Sequence, residues 1–180
     1  MAPDAHAKLP RLPPEWYRGR AAVFWTHTVD HRCTGWLTAE FHHQFREILL
    51  HACARYALAC PAYVVMPDHW HLVGLGMEAN SDQLRANKFL REHLGRVLKP
   101  WELQPQAHDH VLREEERKRG GFQSACHYIF NNPTRAGLVD AGKNWPYLGA
   151  MISGYPKLEP QADDYWERFW AIYMRNPPAP

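Results

Sequence analysis

No apolar run in this chain approaches the ~18 residues that a membrane-spanning helix requires. The opening residues, Met-Ala-Pro-Asp-Ala-His, carry no apolar core of a secretory signal. The expectation is therefore a soluble, cytoplasmic protein with no membrane partner. Cysteine is scarce: Cys33, Cys53, Cys60 and Cys126 form no CxxC pair, and the reading is small thiols buried in strands and helices within a reducing compartment. Charge of one sign is also in short supply. A formal net charge of +2 over 180 residues is too small to mark a nucleic-acid binder by composition, so any such contact must come from local basic faces. No internal repeat is present. What is plentiful is apolar material, 46% of residues with 13% aromatic, enough for the core of one domain.

Residues 1–20 hold Pro3, Pro10, Pro13 and Pro14 beside Lys8, Arg11, Arg18 and Arg20, a proline-broken basic arm expected to be mobile until something pins it. Residues 21–148 read as the main domain and 149–180 as a C-terminal extension. Ala21 to Val29 is β-branched and aromatic, a first strand. Thr38 is placed to cap a helix in which Phe41, Phe45, Ile48, Leu49, Ala52 and Tyr56 recur at helical spacing, running to about Ala59. Tyr63–Met66 and His69–Leu75 flank Pro67-Asp68 as a tight hairpin. Ser81 is expected to cap a second helix whose apolar stripe is Leu84, Leu90, Leu94 and Val97. A short strand at Ala107–Leu112 follows, then a charged helical start interrupted by Gly120-Gly121. The helix resumes at Phe122 and is expected to end near Asn131, ahead of Pro133. A last amphipathic piece covers Asp164 to Met174. This order predicts an α+β fold, a ferredoxin-like antiparallel sheet with helices on one face.

His69-Trp70-His71 is the sharpest local feature. On a strand, residues two apart point the same way, so both imidazoles can offer neutral nitrogen to one divalent ion. Histidine-triad nucleotide hydrolases need a third alternating histidine, and that position is Val73; cupin-type barrels need a glutamate about four residues on, which is absent here. Tyr128 and Asn132 stand four apart, on one helical face, where a phenol can serve as nucleophile and an amide as an oxygen ligand. The alternative is a core tyrosine followed by a helix-ending asparagine. His108-Asp109-His110 is a rival metal site. Arg85, Lys88, Arg91, Arg96 and Lys99 outnumber Asp82 and Glu92 on the second helix, a face able to track phosphates or simply to meet solvent. Trp16, Tyr17, Trp25, Trp36 and Trp70 are candidate base-stacking surfaces, although most aromatics in such a chain serve the core.

The stretch from Tyr63 to Val73 (YVVMPDHWHLV) resembles the histidine signature of HUH single-strand transposases. Tyr128-Ile129 with Asn132-Pro133-Thr134-Arg135-Ala136-Gly137-Leu138-Val139 resembles their tyrosine helix, and His108 to Arg113 resembles the strand before that helix in REP-associated tyrosine transposases. The resemblance spans roughly residues 20–148, in matching order. It implies a metal-dependent endonuclease and strand transferase acting on single-stranded or hairpin DNA through a 5′-phosphotyrosine intermediate, with the catalytic tyrosine on a C-terminal helix. It further implies Tyr128 as nucleophile, His69, His71 and Asn132 as ligands, Mg²⁺ or Mn²⁺ as the ion, and Arg85, Lys88, Arg91 and Arg135 as DNA contacts. Relatives include monomers and dimers, so a homodimer is open. The alternative is a catalytically silent single-strand or hairpin-DNA-binding protein on the same fold.

Overall fold

The computed structural model describes residues 10–155 and 158–175; Pro3 and Lys8 of the expected arm lie outside them. Ten main elements follow in order: β1 (Ala22–Thr28), α1 (Ala39–Arg55), β2 (Leu58–Val65), β3 (His69–Gly76), α2 (Gln83–Val97), β4 (His108–Val111), α3 (Glu114–Lys118), α4 (Gly121–Arg135), β5 (Leu148–Ile152) and α5 (Tyr165–Met174). The strands form one antiparallel sheet in the order β4-β1-β3-β2-β5. The β-α-β-β-α-β succession that carries the first four strands is the expected ferredoxin-like arrangement.

Helices cover both faces of the sheet, not one. The eight residues of β2 are all buried, and a strand buried on both sides needs cover on both. Trp25, Tyr63, Trp70 and Leu72 pack with Phe41 and Phe45 of α1 and Leu90 and Leu94 of α2. On the other face Val64, Val73 and Leu75 meet Phe122 and Ile129 of α4 and Phe169 and Ile172 of α5.

Thr38 caps α1 as expected, its hydroxyl accepting from Phe41 N at 3.1 Å. The helix stops at Arg55 rather than Ala59. Ala57 turns left-handed at φ 50, and Leu58 and Ala59 pair with Gly76 and Leu75 in the sheet. Apolar residues suit either element, and the ladder decides. Ser81 does not cap α2: its hydroxyl accepts from Met77 N and Glu78 N and donates to Ala57 O. Asp82 is the cap, accepting from Arg85 N at 2.9 Å. The buried stripe of α2 is consequently Gln83, Ala86, Asn87, Leu90 and Leu94, with Leu84 and Val97 only half-buried. Pro133 does not end α4. The helix continues through it to Arg135, and Asn132 O still accepts from Ala136 N at 3.0 Å.

From Pro10 onward the arm is pinned. Arg11 pairs with Asp109 at 3.0 Å, and buried Tyr17 donates to the other Asp109 oxygen. β5 has no counterpart in the sequence reading; it pairs with β2 at Tyr63↔Gly149 and Val64↔Leu148. A side chain at Gly149 would meet the Tyr63 hydroxyl at 2.5 Å, so only glycine lets the strand pass there. The boundary expected after Leu148 falls at the first residue of this strand. Cys53, Cys60 and Cys126 are buried thiols, while Cys33 is exposed in a loop, outside any strand or helix. Among the described residues no helix is long and apolar enough to cross a membrane.

Candidate active site

The site begins at the Pro67-Asp68 turn, closed by Met66 N donating to His69 O at 2.8 Å. Alternation along β3 sends Trp70 and Leu72 into the α1–α2 core and His69 and His71 to the α4 side. There the two Nε2 atoms face each other at 3.0 Å. The outer nitrogens are held: His69 Nδ1 lies 2.6 Å from Asp68 Oδ1, and His71 Nδ1 lies 2.9 Å from Thr26 Oγ1 on β1. Asp68 is held in turn by Arg32 at 2.8 Å.

His71 is 6% exposed. Burial, reinforced by neighbouring His69, pushes its imidazole down to about 3, so it is neutral at physiological pH. Burial pushes Asp68 upward, but the hydrogen bonds from His69 and Arg32 outweigh it and hold the carboxyl below its ordinary value. The result is a pair of imidazoles beside a fixed anion.

Tyr128 projects from α4 against this pair. Its ring stands 5.6 Å from that of His71, edge to face, and 5.9 Å from Phe24 of β1. It remains 38% exposed, open to a large substrate. Two turns on, the Arg135 guanidinium lies over the same ring at 4.9 Å. Asn132, between them on the helix, is buried at 8% exposure.

The donor set fits a divalent ion. Two nitrogen lone pairs cannot face each other at 3.0 Å unless a proton or a cation lies between. For ligands at ~2.1 Å in octahedral geometry, adjacent donors stand about 3.0 Å apart. Among the described residues no three His, Cys, Asp or Glu side chains converge as a metal site, so the imidazole pair has no third ligand of those types beside it.

The rival site does not assemble. His108 and His110 are exposed, His110 pairs with Glu116 at 2.8 Å, and Asp109 points the other way, to Arg11 and Tyr17.

Arg85, Lys88 and Arg91 lie on α2, across the sheet from the imidazoles, whereas Arg135 belongs to the tyrosine helix. Arg85 lies over the Tyr56 ring at 5.8 Å. Lys88 and Arg91 line a cleft with Arg11, Asn87 and Gln106, and Arg91 donates to Gln104 O at 2.5 Å. Tyr17, Trp25, Trp36 and Trp70 are core; of the candidate stacking residues, Trp16 alone is exposed. Sequence reasoning missed Thr26, Arg32 and Asp68. Adjacency to His69 was a usable signal for Asp68, but nothing local marked the other two.

No family model matches the chain. It is 25% identical over 141 residues, 69% of its length and 76% of the relative, to a Haemophilus influenzae protein described as a "Putative REP-associated tyrosine transposase". Its fold matches a solved REP-associated tyrosine transposase bound to a REP hairpin, with TM-score 0.63 and 22% identity over 79% of this chain and 81% of that one. A bacterial tRNA(His) guanylyltransferase-like protein in complex with GTP matches at TM-score 0.50 and 10% identity, over 93% of this chain and 92% of that one. The resemblance read from the motifs is thus met twice, once in sequence and once in fold.

Proposed function

We propose that this chain, similar in sequence to one REP-associated tyrosine transposase and in fold to another, is a metal-dependent endonuclease acting on single-stranded or hairpin DNA in the cytoplasm. The observation that carries the reading is the placement of Tyr128 against His71, whose Nε2 faces that of His69.

His69, His71 and Asn132 would hold Mg²⁺ or Mn²⁺. The ion, when bound, polarises the scissile phosphate and stabilises charge on the displaced oxygen. Tyr128 Oη attacks phosphorus, forming the Tyr–O–P bond as the bond from phosphorus to the 3′ oxygen breaks. The phenolic proton passes to solvent and the departing oxygen takes one up, leaving a 3′-hydroxyl and a 5′-phosphotyrosine. The covalent link conserves the bond for a later 3′-hydroxyl to reclaim, so strand transfer needs no nucleotide cofactor. Arg135, exposed beside the tyrosine, contacts the phosphate backbone, and Arg85, Lys88 and Arg91 hold DNA at a distance from the cut.

The test is a covalent-adduct assay with a labelled hairpin oligonucleotide bearing a single-stranded flank, with and without Mn²⁺. A metal-dependent protein–DNA adduct is the expected result. Tight binding with no adduct at any metal concentration would make the chain a silent binder.

A further inference from the structure

The two imidazoles are not equivalent. His71 is backed by a neutral hydroxyl, Thr26 Oγ1, whereas His69 is backed by the carboxylate of Asp68. Both oxygens of that carboxylate are used: Oδ1 meets His69 Nδ1 at 2.6 Å and Oδ2 meets Arg32 at 2.8 Å.

Arg32 reaches Asp68 from an unusual backbone. His31 and Arg32 are consecutive non-glycine residues in the left-handed region, at φ 51 and φ 52, a conformation that disfavours L side chains and persists where surroundings over-determine it. The surroundings here are the end of β1, where Val29 N donates to Asp68 O, Asp30 N to Glu102 O and Arg32 N to Val29 O. One hydrogen bond in that set ties the turn directly to the backbone of Asp68. The strained turn thus aims a cation at the carboxylate beside His69.

We propose that Asp68, held by Arg32, is a positioning residue that fixes the Nδ1–H tautomer of His69 and so presents the bare Nε2 to the metal. The inference rests on the metal reading above. Arg32 at 2.8 Å holds the Asp68 carboxylate in place, and a carboxylate acceptor at 2.6 Å retains the imidazole proton on Nδ1. Without it the proton is free to settle on Nε2, the nitrogen that faces His71, where it blocks coordination. Carboxylates behind metal-bound histidines raise ligand basicity and fix orientation in this way, and their loss weakens metal binding by about 10- to 100-fold.

The experiment has two readouts, both without DNA. Nitrogen-15 NMR of the metal-free protein reports the His69 tautomer, and calorimetric titration with Mn²⁺ reports affinity. Wild type is expected in the Nδ1–H form. Asp68→Ala should release that tautomer and weaken Mn²⁺ binding by about 10- to 100-fold. Asp68→Asn, which keeps an oxygen acceptor and the turn, should retain most of both. Arg32→Ala should weaken binding several-fold, and should add nothing in the Asp68→Ala background, because Arg32 acts through Asp68. A wild-type His69 carrying its proton on Nε2, or an Asp68→Ala protein that binds Mn²⁺ as wild type does, overturns the proposal. Should wild type take up no Mn²⁺, the metal reading fails, while the tautomer still decides what Asp68 does.

Discussion

The guanidinium carbon of Arg135 sits 4.9 Å from the centroid of the Tyr128 ring, two helical turns away on the same side of α4. A cation so placed faces the phenol, where the proposed reaction brings a phosphate. Tyr128→Phe should abolish cleavage and the covalent adduct while leaving binding of single-stranded DNA nearly unchanged; residual cutting at a tenth of the normal rate would refute the nucleophile. Arg135→Ala should slow adduct formation by about 2- to 10-fold, in keeping with a partly solvated cation–π contact and one phosphate contact, and Arg135→Lys should recover part of it.

The proposed metal shell sorts its members by charge and replaceability. His69→Ala should eliminate cleavage at any practical metal concentration, since one remaining imidazole is a poor site. Asn132→Ala should be milder, because water replaces a neutral oxygen ligand, and added Mn²⁺ should restore part of the rate. Asn132→Asp should bind metal at least as tightly. His110→Gln, which loses only the exposed pairing with Glu116, should leave the metal dependence untouched. Cleavage rate against Mn²⁺ concentration for the four variants checks the set, and metal rescue confined to His110→Gln would move the site to β4.

The α2 cleft makes a separate claim about salt. Removing Lys88 and Arg91 together should weaken binding to all sequences alike and flatten the plot of log affinity against log salt by about 0.7 per lost phosphate contact. An unchanged slope would return these side chains to solvent and to the loop at Gln104.

Acid should unfold this protein through buried histidine. His27 lies fully buried against Trp70 with Nε2 2.7 Å from Asn87 Oδ1. Burial, with the nearby Arg91 charge, pushes it down to about 3; burial and Arg46 push His42 to about 4. Above pH 6.5 both are neutral folded or unfolded, and stability is independent of them. As pH falls below 6.5 the unfolded chain takes up protons that the folded chain cannot accept until about pH 3 or 4, so stability drops across that window. For His27 the loss is about 1.4 kcal/mol per pH unit through that window. Urea unfolding between pH 7 and 4 should show the decline, and His27→Gln should flatten it; an equal slope in the variant would remove His27 as the cause.

Much of the site was legible because it is local. The HxH spacing needs only a strand, and the Tyr128–Asn132 spacing needs only a helix. Thr38 declared itself by the apolar periodicity that follows it. What was illegible depended on partners distant in sequence. Ala57–Ala59 suits a helix until Gly76 and Leu75 pair with its end. Ser81 resembles a cap until its hydroxyl is claimed by Met77, Glu78 and Ala57. β5 is five residues at a sheet edge, recognisable mainly from the glycine that clears Tyr63. Arg32 gave no sign at all, since a left-handed arginine is set by what surrounds it.

The passage of α4 through Pro133 has a mechanical consequence. Tyr128 becomes the midpoint of a 15-residue helix, seven residues from Gly121 and seven from Arg135, beyond the reach of end fraying. Its amide should therefore be among the slowest of this helix to exchange with solvent. Left-handed glycines flank the helix at both ends, Gly120 at φ 81 and Gly137 at φ 69, so any travel of the phenol is that of a stiff rod pivoting at its ends. Short of such a swing the Tyr128 hydroxyl stays put, and whatever reacts with it makes the approach.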